Sequence, residues 1–137
     1  MSAEAVCIFD SCAVIALLED EPGAEAVELF LQESNRRLIH AINVCEVYYD
    51  MLRRDAYTKA HTLEELLKRV DIEVFDTLPP SLWRAAGDLK ADRKRVSLAD
   101  CVALALTVQE GGALITSDHR DLDPIAEAGI CPIRFIR

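Results

Sequence analysis

The chain has 137 residues, of which 51% are hydrophobic and 28% are charged, and its formal net charge is −9 at pH 7. A chain of this length can bury about two thirds of its unfolded surface, so we expect a single domain over residues 1–137. The acidic balance argues against a protein that binds nucleic acid through a general excess of positive charge. A nucleic-acid enzyme is still possible, because a divalent cation can neutralise an acidic pocket and bridge it to a phosphodiester.

The amino-terminal segment and the cysteines indicate a cytoplasmic protein. The segment M-S-A-E-A-V-C-I-F is too short and too acidic for a signal peptide, and no apolar run reaches the ~18 residues of a membrane-spanning helix. The five cysteines are an odd number and contain no C-x-x-C pair. We therefore expect reduced thiols packed among apolar neighbours, and no contact with a membrane.

Apolar runs alternate with helical patterns along the chain. The predicted strands cover residues 5–9, 37–40, 72–75, 113–116 and 133–136. The predicted helices cover residues 12–19, 24–32, 43–54, 58–70, 79–90, 98–110 and 122–128, with Ser11 and Ser97 as caps. This alternation predicts an α/β protein with a doubly wound parallel sheet, helices on both faces and the first strand at the centre.

The most informative stretch is 96–122. Positions 98–108 are almost all apolar, so this helix should lie deep in the core, and Asp100 is the exception. An ionised carboxylate there costs on the order of 2 to 5 kcal/mol unless a cation, a metal or backbone donors compensate it. The glycines at 111–112 end the helix, and the next strand leads directly to Asp118. A helix start and a strand end thus each bring an acid to the carboxyl edge of the sheet.

Four carboxylates stand out, and each has a structural explanation when taken alone. Asp10 and Asp118 follow strands, where aspartate often caps a helix or forms a turn. Glu46 and Asp100 each lie three residues after a residue that can cap a helix, as in a capping box. Jointly the four converge on one edge of the sheet, where their mutual repulsion calls for Mg²⁺ or Mn²⁺. Such a site can activate water and hold a phosphate oxygen.

Four segments, in this order and spacing, carry a more specific signal. They read F-D-S-C-A-V-I-A-L-L-E-D-E-P-G-A-E, N-V-C-E-V, S-L-A-D-C-V-A-L-A-L and L-I-T-S-D-H-R-D-L. Together they resemble the PIN-domain ribonucleases, and within them the VapC-like toxins of toxin–antitoxin pairs. The resemblance implies a three-layer α/β/α sandwich with a central, mostly parallel five-stranded sheet. It also implies a Mg²⁺- or Mn²⁺-dependent endoribonuclease.

The resemblance also implies roles for particular residues and partners. It assigns metal binding and catalysis to four acids, namely Asp10, Glu46, Asp100 and Asp118. It assigns metal binding to a fifth acid, Asp121, and a supporting role to Ser11 and Ser117. The implied partners are an RNA substrate, a cognate antitoxin and a second copy of the chain. A surplus of apolar residues on the first three helices, including Tyr48 and Leu52, favours such protein contacts.

Two other functions are compatible with the same residues. A PIN-like fold could bind a partner without catalysis, since intact acids show capacity and not activity. A phosphoryl-handling α/β domain is the other, but Cys12 stands where an aspartyl-phosphate phosphatase needs its second aspartate. The basic residues at 53–54 and 93–95 fit either solvated helix ends or contacts to an RNA backbone.

Overall fold

The computed structural model describes residues 5–137, and residues 1–4, on which part of the signal-peptide argument rests, lie outside the described range. Its strands are β1 Val6–Phe9, β2 Arg36–His40, β3 Glu73–Phe75, β4 Ala113–Thr116 and β5 Ile133–Phe135. They form one sheet in the order β3-β2-β1-β4-β5, and every neighbouring pair is parallel. The predicted parallel sheet with the first strand at its centre is confirmed.

Helices cover both faces of this sheet. They are α1 Ser11–Leu18, α2 Ala24–Glu33, α3 Ala41–Arg53, α4 Tyr57–His61, α5 Leu63–Arg69, α6 Pro80–Asp92, α7 Leu98–Glu110 and α8 His119–Ala128. Successive side chains of a strand point to opposite faces, so Phe9 packs with α1 to α5 whereas Ile8 packs with α6 to α8. These two cores make the predicted three-layer α/β/α sandwich, which is confirmed.

The prediction of one helix over 58–70 is wrong, because Thr62 separates α4 from α5. The Thr62 hydroxyl donates a hydrogen bond to the carbonyl of Thr58 at 2.8 Å, and its amide donates to both Thr58 and Lys59. Such local side-chain bonding competes with the helical ladder. Leu63 and Leu67 of α5 are buried in the core.

Two helix starts also differ from the prediction. The cap of α1 is Asp10 and not Ser11, since the Asp10 side chain accepts a hydrogen bond from the amide of Ala13. The helix predicted to open at Asn43 begins at Ala41, and His40 caps it by accepting from the amide of Ile42. The capping-box interpretation of 43–46 is therefore wrong. Ser97 caps α7 as predicted, through a 3.1 Å bond from the amide of Asp100.

Helix α7 is buried only along its middle. Residues Cys101 to Thr107 are buried, as predicted, but Leu98 is 57% exposed and Val108 54% exposed. The expectation of a helix without a solvent face is thus wrong at both ends, because the sheet and α6 cover only the central turns. Asp100, in the first turn, is half-buried.

The five cysteines are free thiols, and their burial differs. Cys7 and Cys101 are buried as predicted, whereas Cys45 is exposed on α3, so the expectation of an apolar environment is wrong for that residue. Over residues 5–137, no helix is both long and apolar enough to cross a membrane.

Candidate functional site

The sheet brings two of the predicted acids to neighbouring strand ends. Asp10 follows β1, and Asp118 lies two residues after β4, which pairs with β1. The amide of Asp10 donates to the carbonyl of Ile115 at 3.2 Å, so the two strand ends are joined at this point. Helices α3 and α7 begin at the same edge and carry Glu46 and Asp100 in their early turns.

Three carboxylates come within the range needed to share a cation. Asp100, Asp118 and Asp121 each offer one oxygen, and these oxygens all lie within 4.8 Å of one another. The amide of Asp121 donates to Oδ1 of Asp118 at 3.1 Å, which caps α8 and fixes both residues together. Hard divalent cations such as Mg²⁺ take oxygen ligands at this kind of separation. We call these three residues the aspartate triad.

Asp10 lies outside this triad but close to it. Its side chain is almost fully buried, and its Oδ1 accepts hydrogen bonds from the amide of Ala13 and the thiol of Cys12, both at 3.0 Å. Burial raises the pKa of Asp10 to about 6, and repulsion from Asp118 adds a smaller increase. A cation placed beside these acids would lower that pKa, because it favours the ionised form.

The pKa of Asp100 is raised by burial and by the charges of three other acids. Burial raises its pKa to about 7, and the next largest causes are the negative charges of Asp10 and Glu46. Asp118 contributes as well, so four acids act on one another at this edge. The structure thus brings Asp10 and Glu46 into electrostatic contact with the aspartate triad, although neither of them lies within it.

Asn43 positions Glu46 from inside α3. Its side chain is fully buried, and its Nδ2 donates to Oε1 of Glu46 at 3.2 Å and to the carbonyl of Ala99 at 3.5 Å. It therefore ties the start of α7 to the glutamate. Among residues 5–137 its Oδ1 finds no hydrogen-bond partner, which leaves a buried acceptor at the site.

Cys12 belongs to the site, although the sequence indicated only a packing role. Its Sγ donates to Asp10, accepts from the amide of Ser117 at 3.3 Å and lies 3.4 Å from Oγ1 of Thr116. Burial and the charge of Asp10 raise the pKa of this thiol to about 12, so it remains a neutral donor. The only signal in the sequence was its position two residues after Asp10, next to a predicted strand end.

The two predicted supporting serines contribute differently. Ser117 supplies its backbone amide to Cys12. The side chain of Ser11, the first residue of α1, makes no hydrogen bond within the described part of the chain. Among the oxygens that surround the site, the hydroxyl of Thr116 accepts from the amide of Asp118 at 3.0 Å and so holds the turn after β4.

The donor set fits a hard divalent cation. It consists of carboxylate oxygens, and the neighbouring thiol of Cys12 is protonated and already bonded to Asp10. The pKa values of Asp10 and Asp100 are raised chiefly by burial and further by neighbouring acids, and a cation bound beside them would counteract both effects. Oxygen-only sites of this kind favour Mg²⁺ or Mn²⁺ over zinc or copper.

Comparison with known proteins identifies the fold family. A model of the PIN domain matches residues 7–128. The chain belongs to the PIN-domain family. This confirms the family that the four sequence segments predicted. A search of curated protein sequences finds no significant match.

Solved structures with the same PIN fold span nearly the whole chain. A toxin–antitoxin complex from Klebsiella pneumoniae is 20% identical, with a TM-score of 0.73 over 96% of this chain and 98% of that chain. DNA-bound VapBC from Salmonella typhimurium is 17% identical, with a TM-score of 0.72 over 100% of both chains. VapBC2 from Rickettsia felis, bound to a promoter DNA fragment, is 13% identical, with a TM-score of 0.70 over 95% of this chain and 98% of that chain. At these identities the similarity is one of fold.

Proposed function

We propose that this PIN-domain protein is a Mg²⁺- or Mn²⁺-dependent endoribonuclease and the toxin of a toxin–antitoxin pair. The observation that carries the proposal is the aspartate triad, with its oxygens within 4.8 Å of one another, beside the charges of Asp10 and Glu46. Membership of the PIN family supports a nuclease. The shared fold with toxin–antitoxin complexes supports the toxin role. We also propose a cytoplasmic location.

The chain's own residues divide the work of such a site. Asp100, Asp118 and Asp121 would hold the cation, with Asp10 and Glu46 as further acids close to it. The cation, when bound, supplies positive charge that polarises a phosphodiester oxygen and lowers the pKa of water. Asn43 orients Glu46 and Cys12 orients Asp10, so that neither carboxylate has to reorganise when the substrate binds.

The state of the Cys12 thiol bears on the reaction. A thiol with a pKa of about 12 is protonated at neutral pH, so it is not available as a nucleophile. We therefore propose that water attacks phosphorus directly, with no covalent enzyme intermediate. The P–O bond to the ribose 3′ oxygen breaks, which leaves a 5′-phosphate and a 3′-hydroxyl.

The proposed partners are an antitoxin and a second copy of the chain. Helices α2 to α4 expose large apolar side chains on one layer of the protein, namely Leu29, Ile42, Tyr48, Tyr49 and Tyr57. Exposed apolar groups that form a patch usually mark protein contacts. A basic side chain of an antitoxin could also enter the acidic site and replace the charge that a metal supplies.

The test is cleavage of a generic single-stranded RNA in the presence of Mn²⁺. Asp10→Asn should reduce cleavage by roughly 100-fold or more, because it removes a carboxylate that would help to hold the cation and to position the attacking water. Asp88→Asn, which changes an exposed aspartate on α6, is the matched control and should cleave like the parent. Mn²⁺ titration by calorimetry should show binding that Asp100→Asn weakens.

Two results would count against this proposal. A parent protein that binds Mn²⁺ but cuts no RNA would favour a binding domain without catalysis. Products that end in a 2′,3′-cyclic phosphate would mean that the ribose hydroxyl attacks, and attack by water would then be wrong.

A further inference from the structure

A cluster of positive charge lies beside the acidic site of this acidic chain. Arg93, Lys94 and Arg95 form the loop between α6 and α7, and Arg120 lies in the first turn of α8. These four basic residues outnumber the two acids, Asp92 and Asp121, in the lining of a cavity of about 390 Å³ whose other lining groups are apolar. We call this cavity the basic groove. Cations are scarce in a chain with 24 acidic and 15 basic residues, so a cluster of four is notable.

The backbone of the loop is fixed before any ligand binds. Nζ of Lys90 donates to the carbonyls of Lys94 and Val96, both at 2.8 Å. The amide of Val96 donates to the carbonyl of Arg93 at 3.1 Å, which closes a turn. A loop held in this way loses little conformational freedom on binding, and a preorganised site binds more tightly for that reason.

Most of the cations in the basic groove are not used within the protein. Over residues 5–137, Lys94 and Arg120 are exposed and form no ion pair. Arg95 is 75% exposed, and its single ion pair, with Asp121, is long at 3.9 Å. Exposed pairs of this kind contribute little to folding stability. The positive charge is therefore available to an anionic ligand.

The basic groove is continuous with the candidate metal site. Nη2 of Arg95 lies 3.9 Å from Oδ1 of Asp121, and Asp121 belongs to the aspartate triad. A strand that places one phosphate at the triad would therefore have its neighbouring phosphates within reach of the loop. The apolar part of the lining consists of Val96, Pro124 and Ile125, of which Pro124 is exposed and gives a base a surface to pack on.

We propose that the basic groove binds the phosphate backbone of the RNA strand next to the bond that is cut. This rests on the proposed ribonuclease function. The cations contact phosphate and not base edges, so the groove holds and registers the strand without reading its sequence. A cavity of about 390 Å³ suits a single nucleotide, since small-ligand sites span roughly 300–1,000 Å³.

The test measures RNA binding by fluorescence anisotropy, in an Asp10→Asn background that blocks cleavage. The variant carries Lys94→Gln with Arg120→Gln and leaves Arg95, the neighbour of the triad, intact. The control carries Lys68→Gln with Arg69→Gln. It removes the same charge from exposed positions at the end of α5, in the opposite helix layer and at the other edge of the sheet.

Loss of two phosphate contacts should weaken binding about tenfold and make the slope of log K against log salt shallower by about 1.4. The control should bind like the parent. The swap Lys94→Arg with Arg120→Lys keeps both charges and should retain binding. With Asp10 restored, cleavage at subsaturating RNA should fall by the same factor in the Lys94→Gln, Arg120→Gln protein.

The possible results distinguish the RNA-binding role of the basic groove from the proposed ribonuclease function. An unchanged affinity and salt slope in the Lys94→Gln, Arg120→Gln protein, with a parent that cleaves RNA, would overturn the groove proposal and leave the ribonuclease proposal standing. Equal weakening in the control would reduce the effect to net charge and would also overturn it. A parent that neither binds nor cuts RNA would contradict both proposals.

Discussion

The carboxyl group of Asp100 is subject to burial and to repulsion from other acids, and it lies in the first turn of α7. Burial and the charges of Asp10 and Glu46 raise its pKa to about 7, while Ser97 acts in the opposite direction through its hydrogen bond. The start of α7 also carries partial positive charge that favours an anion. Burial and repulsion outweigh the hydrogen bond and the helix start. The folded metal-free chain therefore keeps a proton on Asp100 that the unfolded chain releases near the ordinary pKa of 3.8.

This difference predicts how stability depends on pH. Below about pH 4 the carboxyl group is protonated in both the folded and the unfolded chain, so it does not affect the free energy of unfolding. As pH rises from about 4 to about 7 the unfolded chain releases the proton more readily, and the folded state loses stability, in full above about pH 7. Asp100→Asn removes the ionisable group. In EDTA the variant should melt at the same temperature as the parent near pH 4. Above pH 7 it should be more stable by roughly 2 kcal/mol, or on the order of 6 °C, which is about half the full effect of this pKa difference because Asp100 is partly exposed to solvent.

Thermal unfolding followed by circular dichroism at several pH values measures this gap. Mn²⁺ added above pH 7 should stabilise the parent more than the variant, because the parent offers the complete acidic site. Asp88→Asn is the control, and its melting temperature should follow the parent at every pH. A variant that melts below the parent at pH 8 would show that Asp100 is stabilised by contacts other than a metal.

The sequence placed Asp10, Glu46, Asp100 and Asp118 at one edge of the sheet, but only Asp100 and Asp118 of these lie in the aspartate triad. It did not reveal the residues that hold the acids in place. Asp10 and Asp118 were found because each follows an apolar strand. The thiol of Cys12 accepts a hydrogen bond from the amide of Ser117, which is far away in the chain. The two residues meet only because β1 pairs with β4. No local pattern reveals such a bond, since cysteine beside a strand end is ordinary core composition.

At the scale of elements, apolar runs located the strands well and left the helix ends less certain. All five strands were predicted within two residues of their positions, since buried parallel strands read as continuous apolar runs. The cap of α3 was missed because His40 is not a usual cap residue, and a bond to the carbonyl of Thr77 holds its ring in place. That contact comes from the chain beyond β3 and is not visible locally.

The turn between α7 and β4 leads to a prediction about two adjacent glycines. Gly111 ends α7 with a φ of 65°, and nothing lies within 4 Å of the position where a Cβ would stand. Gly112 is different, because a Cβ there would lie 2.6 Å from the carbonyl oxygen of Val6 in β1. Gly112→Ala should therefore cost roughly 1–3 kcal/mol, as overpacking does.

Gly111→Asn is the matched control. Asparagine tolerates the left-handed conformation, so its cost should stay below about 1 kcal/mol. Urea denaturation measures both variants, and Mn²⁺ affinity should fall only for Gly112→Ala, because the clash pushes β4 away from β1 and separates Asp118 from Asp10. Equal stability of the two variants would show that the strands yield without cost.

At the scale of the whole molecule, the sheet order explains why one edge collects the acids. With β1 between β2 and β4, the carboxyl ends of the central strands and the starts of α3 and α7 share one edge. The sequence overestimated the apolar surface outside this core. Val14 and Met51, which belong to the apolar surplus of the first three predicted helices, are fully buried, because α4 and α5 add to the layer that covers them.

The exposed part of that layer still predicts a homodimer. Tyr48 is 38% exposed and Tyr49 44% exposed on α3, which also carries the exposed side chain of Ile42. Sedimentation at micromolar concentration should show a species of twice 15.2 kDa. A charge on this face of α3 must be desolvated on association, so Tyr48→Glu should shift the protein to monomer.

Val108→Glu, at a 54% exposed position on the opposite layer, is the control and should remain dimeric. A monomeric parent, or a dimer that Tyr48→Glu leaves intact, would show that the exposed face of α3 is not where two copies meet.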